Sequence, residues 1–424
     1  MSLTTPLTPP AAPPPAVTST RARPRARGLR ALLVVVGALV LLSAVRMVTG
    51  AGDLTSGGAI SAALGLAVPI GMAGLGGLWS ERAGVVNIGL EGMMILGTWG
   101  AGWAGFQWGP WAGVLAALVF GALGGLIHAV ATVVFSVDHI VSGVAMNILA
   151  LGVTQYLSNA IFTKLPGGST KQSPPVADIG AFSVPGIAGP LRSVEDNHWF
   201  VVSDAAGVLR GLLTGLSWIT VLALVLLPLT YWVLWRTAFG LRLRSCGESP
   251  WTAETLGINV YRTKMTAVVI SGGIAGLGGA SLALAASNFY QEGQTGGRGY
   301  IGLAAMIFGN WRPGGLAAGA ALFGFTDALQ LRGGDSVRAL LLLVAILLVG
   351  IAIRQLVGRR RVAGGVSLTL GLVFLAGYLL LDTVPGQLTV AVPYLTTLLV
   401  LGMASQRLRM PKADGLVYRR GEAG

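Results

Sequence analysis

Asn87 and Glu91 stand four residues apart at the head of an apolar run, 85–106, that is long enough to cross a bilayer. An ionisable side chain in such a run costs about 3 kcal/mol or more and is seldom incidental. On a helix, four-residue spacing puts both groups on one face. Asn147, Thr154 and Ser158 form a second polar stripe, at spacings of seven and four. Stripes of this kind either line a cavity or hydrogen-bond between helices, and both readings stand for Asn87 and Asn147. Glu91 suits an ionised form near a helix N-terminus, where the dipole favours an anion, and a neutral form deeper in the bilayer. Asn87, Glu91, Asn147 and Thr154 are therefore the candidates for a substrate path. Asp327 is the other acid inside an apolar run, near enough to Arg332 in the sequence to pair with it.

Other chemistries lack their residues. The chain has three histidines (His128, His139, His198) and one cysteine, Cys246, with no His-Glu-x-x-His pattern. That leaves no catalytic constellation, no metal site and no cofactor site to propose, and no internal disulfide. None of the four lysines, Lys164, Lys171, Lys264 and Lys412, sits in a Gly-x-x-x-x-Gly-Lys-Ser/Thr phosphate loop.

The elements that must position these residues are membrane helices. Of 424 residues, 53% are hydrophobic and 11% charged, and mean hydropathy is +0.73. Soluble domains carry about 25% charged residues. Apolar runs fall at 31–50, 59–78, 85–106, 111–134, 139–162, 215–235, 265–287, 298–311, 313–331, 337–353, 366–383 and 387–404. About 20 helical residues cross a hydrocarbon core, so the pattern predicts an all-α polytopic membrane protein of about 10–12 transmembrane helices, some short or broken. The run 298–311 is short and reads as a half-helix or re-entrant segment. Glycine, at 64 residues, is about twice ordinary usage, and Gly121 with Gly125, Gly272 with Gly276 and Gly315 with Gly319 give the small-residue spacing that lets helices approach closely.

The formal charge of +13 suggests nucleic acid only until it is placed. With an internal N-terminus and twelve crossings, 21 of the 29 Lys and Arg residues fall inside: in the tail 1–30, at Arg82, in 236–264, at Arg312, in 354–361 and in 407–420. This is the positive-inside asymmetry; it puts both termini in the cytosol and leaves no nucleic-acid footprint. Residues 1–30 read as a disordered basic tail ahead of an uncleaved first helix, 31–404 as the membrane domain and 405–424 as a cytosolic C-terminal tail.

Two long polar segments remain. Residues 163–214 fall outside and mix Pro, Gly, Ser and balanced charge, as in a partly ordered loop able to cap a pore or touch a soluble partner. Residues 236–264 fall inside and contain Glu248, Ser249, Pro250, Trp251, Thr252, Ala253 and Glu254, followed by Gly257. Ser249 suits an N-cap, Pro250 a first helical position and Gly257 the residue past the C-terminus. That predicts a two-turn helix outside the membrane, able to insert in a partner's groove with Trp251 and Glu254 presented to it.

Three segments carry a resemblance. Residues 80–94 (SERAGVVNIGLEGMM), 245–264 (SCGESPWTAETLGINVYRTK) and 300–328, with GLAAMIFGNWRPGG at 302–315, are similar to the inner-membrane permeases of ABC transporters that import nucleosides and simple sugars. In that family a Gly-Glu-x-Pro-x-Ala-Ala-x-x-x-Gly-Ile pattern forms the coupling segment; this chain has Thr252 in place of one alanine. The resemblance implies a bacterial inner-membrane subunit that forms the translocation path. It further implies docking of a separate ATP-binding subunit, pairing with a related second permease as a heterodimer, and delivery of substrate by an external binding protein. The rival reading is an ion-coupled secondary transporter using Glu91 and Asp327 near the midplane.

Overall fold

A computed structural model describes residues 24–381, 384, 391, 395 and 408–421. The predicted run 387–404 and most of the N-terminal tail lie outside them. The described chain is α-helical, with one two-stranded ribbon pairing Ala181–Phe182 (β1) with Leu216–Ser217 (β2). The helices, in order, are α1 (Pro24–Thr49), α2 (Gly57–Arg82), α3 (Leu90–Trp108), α4 (Pro110–Ala129), α5 (His139–Ile161), α6 (Ala188–Asp196), α7 (Val202–Leu213) and α8 (Trp218–Arg236). They continue as α9 (Ala238–Glu248), α10 (Pro250–Thr255), α11 (Val260–Ser281), α12 (Arg298–Phe308), α13 (Pro313–Gln330), α14 (Gly334–Val357) and α15 (Arg361–Leu380).

Local sequence sets the ends. Ser56, Asp138, Ser217, Thr237 and Asn259 each accept a backbone N–H of the helix they precede, and Pro110, Pro250 and Pro313 occupy first-turn positions where no N–H partner is needed. Seven helical stretches among the described residues, built on α2, α4, α5, α8, α11, α14 and α15, are long and apolar enough to cross a bilayer. The rest of the expected ten to twelve includes α1 and α12, whose apolar stretches are short, and α3 and α13, glycine-rich helices packed within the same bundle.

Helix α11 is the axis of the core. Its Gly272 and Gly276 lie against Gly121 and Gly125 of α4, where a Cβ on any of them would collide with the facing backbone. Gly276 also meets Gly97 of α3, and Gly279 lies on Met94 and Thr98. In lipid, where apolar surface gains nothing by pairing with apolar surface, this contact distance is what holds helices together.

The bundle has two distinct ends. At one, the predicted loop 163–214 is ordered as α6, α7 and the ribbon: Arg46 pairs with Asp204 at 2.9 Å, and Glu195 holds both Arg210 and the backbone N–H of Gly57. The segment 171–176 runs beside 288–292 at the same end through backbone hydrogen bonds. At the other end lie Arg82, α9, α10, Arg312 and the C-terminal segment 408–421.

Candidate functional site

The helix after Glu81 and Arg82 does not resume at Val85. Residues 85–87 are not helical and α3 starts only at Leu90, so Asn87 and Glu91 do not share a helix face as the spacing predicted. Asn87 is fully buried and donates to the Ser271 hydroxyl on α11 at 2.9 Å. Glu91, in the first turn of α3, reaches across to α12: its two carboxylate oxygens accept the N–H groups of Gly297 at 2.9 Å and Gly299 at 2.7 Å.

Helix α12 is the short element expected from the sequence, and its N-terminus lies deep in the bundle. Gly302, one turn in, packs on Ile70, Ala73 and Gly74, in the middle of α2. A half-helix beginning there aims its positive end and unpaired N–H groups at the membrane interior, where an acid or an anion must meet them. Glu91 is that acid. The turn needs glycine: Gly296 and Gly297 have φ of +54° and +79°, and a Cβ on Gly299 would stand 2.6 Å from the Glu91 backbone.

Asn147 locks the same junction from α5. Its carbonyl accepts the Gly92 N–H at 2.7 Å, while its amide donates to the Ile88 carbonyl at 3.1 Å and to the Tyr300 hydroxyl at 2.9 Å. One side chain thus joins α5, the turn before α3, and α12. Thr154 is fully buried and turns its hydroxyl back on Ala150, and Ser158 accepts the Trp99 indole N–H at 3.0 Å. Asp327 pairs with Arg298 at 3.2 Å instead of Arg332, which holds Asp53 at 2.6 Å. Glu91 and Asp327 are therefore engaged in a helix cap and an ion pair.

At the basic end, α10 is held as a separate short helix. Pro250 begins it, and Gly257, at φ +81°, closes it with N–H bonds from Gly257 to Glu254 and from Ile258 to Ala253, a Schellman cap. Ser249 stands at the N-cap position but bonds the Thr252 hydroxyl at 2.7 Å, not a backbone N–H. Pro250 and Ala253 face inward, Cys246 of α9 packs in one cluster with Ala253, and Gly247 lies on the carbonyl of Arg82. Burial raises the Cys246 thiol above its ordinary range.

Trp251 and Glu254, expected to face a partner, instead face the C-terminal segment. The Trp251 ring meets Tyr418 edge-on at 6.0 Å, and Glu254 pairs with Arg420 at 3.2 Å. Ala413 donates to the Gly247 carbonyl at 2.9 Å and Arg409 to Asn310 at 2.7 Å. The surface left open on α10 and its cap is Thr252, Thr255, Leu256 and Gly257, and Leu256 is 76% exposed. Glu248 is exposed beside it and accepts the Lys412 N–H. The sequence reading missed α9, the 296–299 turn and the tail contacts. The cue for the turn was there, since Gly-Gly-Arg-Gly directly precedes a short apolar run.

A bundle of membrane helices with a half-helix ending inside it and a short helix held outside it is the architecture of a multi-pass membrane protein. The chain belongs to the family described as the permease component of branched-chain amino acid transport systems, which matches residues 59–353. It is 37% identical over 281 residues to the guanosine ABC transporter permease protein NupQ of Bacillus subtilis, covering 65% of this chain and 82% of that protein. The nucleoside ABC transporter permease protein NupC of Lactococcus lactis is 32% identical over 358 residues, covering 82% of this chain and 93% of its own length. The putative glucose ABC transporter permease protein TsgC13 of Haloferax volcanii is 34% identical over 276 residues, 65% of this chain and 77% of that one. No solved structure matches the chain. The chain is a permease subunit of an ABC importer.

Proposed function

We propose that this chain is one half of the membrane pore of a nucleoside importer, paired with a related second permease in the bacterial inner membrane. An external binding protein delivers the substrate and a separate subunit binds ATP. The nucleoside class rests on what the relatives NupQ and NupC are named for. In this reading both termini are cytosolic, so that α6, α7 and the ribbon face outward and α9, α10 and residues 408–421 face the ATP-binding subunit; the 21-to-8 division of Lys and Arg supports it.

The observation that carries the coupling assignment is α10 itself. It starts at Pro250, is closed by the Gly257 cap and is buried along one face by Pro250 and Ala253, and it offers an exposed leucine at its outer end. An apolar side chain exposed on a short helix suits a groove in a partner, whereas the half-buried Trp251 and Glu254 set the pose of the helix through Tyr418 and Arg420. Glu248, Ser249, Pro250, Thr252 and Gly257 complete the segment. A photo-crosslinking residue at position 256 should capture the ATP-binding subunit in the assembled complex, and one at Trp199, at the opposite end, should not. Capture from Trp199 but not from Leu256 would overturn both the orientation and the coupling assignment.

A further inference from the structure

The seam between α5 and residues 291–300 carries Asn147, Gln155, Glu292 and Tyr300 among exposed apolar residues of α5 such as Leu151. Tyr300 is 46% exposed in the first turn of α12, at the level where Gly299 and Gly302 reach the middle of the bundle. Its hydroxyl is fixed by the Asn147 amide at 2.9 Å, and accepting that bond leaves the phenol proton free to donate. Further toward the α6–α7 end, the exposed Gln155 of α5 donates to Glu292 at 2.6 Å. Acyl chains cannot hydrogen-bond a phenol, an amide and a carboxylate, so side chains of this kind in a membrane segment face a water-filled path or a partner. Sites near the midplane are also where broken helices place their ends.

We infer that Tyr300 is the mid-membrane stacking surface for the base of a nucleoside passing along this seam, with Gln155 and Glu292 facing the sugar hydroxyls on the approach. The inference rests on the nucleoside reading above. An aromatic ring suits such a cargo because every base has a flat π-face, so one ring accepts purines and pyrimidines alike. The ring is pre-positioned: Glu91 holds the start of α12, and Asn147 holds the phenol.

The test uses the full complex of this chain, its partner permease, the ATP-binding subunit and the binding protein in proteoliposomes, with labelled guanosine as the probe. Tyr300→Ala and Tyr300→Leu should each lower guanosine uptake about tenfold or more, the lower range of base–aromatic stacking. Tyr300→Phe and Tyr300→Trp, which keep a ring, should stay within about threefold of wild type by the same reasoning. Recovery of the complex and its ATP-binding subunit should match wild type in all four. Uptake by the leucine variant close to wild type would overturn the inference. So would a phenylalanine variant as poor as alanine, because the Asn147 bond and not the ring would then be what matters. If the wild-type complex takes up no guanosine, the nucleoside reading fails and this inference with it, so the two failures are told apart.

Discussion

Removing the Glu91 carboxylate tests how the half-helix is held. In Glu91→Ala the N–H groups of Gly297 and Gly299 lose acceptors at 2.9 and 2.7 Å, in a site where Glu91 is 6% exposed. A hydrogen bond to a charged acceptor contributes about 1.5–3 kcal/mol, so two give about 3–6 kcal/mol, and water entering the vacated space offsets part of it. The lower end of that range, about 3 kcal/mol, corresponds at about 2.1 cal/mol/K per residue to a fall of roughly 3 °C in the unfolding midpoint of a chain this size. Glu91→Gln keeps one acceptor and turns an N–H₂ toward the other donor, so it should fall between wild type and alanine. Glu91→Asp is one methylene shorter, about 1.5 Å, and should fail to bridge both N–H groups. The assay is the midpoint of the monodisperse peak in detergent after heating, measured by size-exclusion chromatography. An alanine variant with an unchanged midpoint, or an aspartate variant as stable as wild type, would refute the cap.

Other outcomes follow from contacts elsewhere. Gly272→Ala forces a methyl onto the carbonyl of Gly121 and should sharply lower the yield of folded protein, whereas Gly350→Ala, with open space around it, should leave yield unchanged. Gly257→Val places a β-branched residue at φ +81°, costing about 1–3 kcal/mol locally, and should weaken association with the ATP-binding subunit while membrane abundance holds. Asp414, buried beside Glu81, has its carboxyl pushed up to about 7 by desolvation, with the Glu81 side chain and Lys264 acting against that shift. A raised acid binds its proton more tightly docked than free. Docking of residues 408–421 is therefore strongest at low pH, weakens from the ordinary carboxylate range up to about pH 7, and has lost that contribution above it. Labelling of a cysteine at Lys412 should rise over that window, and Asp414→Asn should flatten the rise.

The spans were legible because a run of twenty apolar residues has few soluble uses, and α12 was legible as a broken element because 298–311 is too short to cross. The glycine pairs of α4 and α11 were legible from their four-residue spacing, although not which pair would face which. Hydropathy could not show that Val85 to Asn87 lie outside the helix, since an apolar run reads the same with or without a break; the predicted common face of Asn87 and Glu91 failed there. Charge partners were equally hidden. Asp327 lies five positions from Arg332 in the sequence, yet the fold brings Arg298 to it from the first turn of α12. The tail 408–421 has no periodic pattern that marks Pro411, Ala413, Asp414 and Tyr418 for burial over the exposed Leu408, Met410, Leu416 and Val417, and the contact of Tyr418 with Trp251 was hidden with it.

Reconstitution with and without the ATP-binding subunit tests the central claim most directly. Proteoliposomes holding this chain, its partner permease and the ATP-binding subunit should take up labelled guanosine from the binding protein only when ATP is supplied on the face of α10. This chain alone should neither hydrolyse ATP nor transport. Guanosine uptake by the chain alone, driven by a proton or sodium gradient and abolished by Asp327→Asn, would contradict the account and establish an ion-coupled transporter.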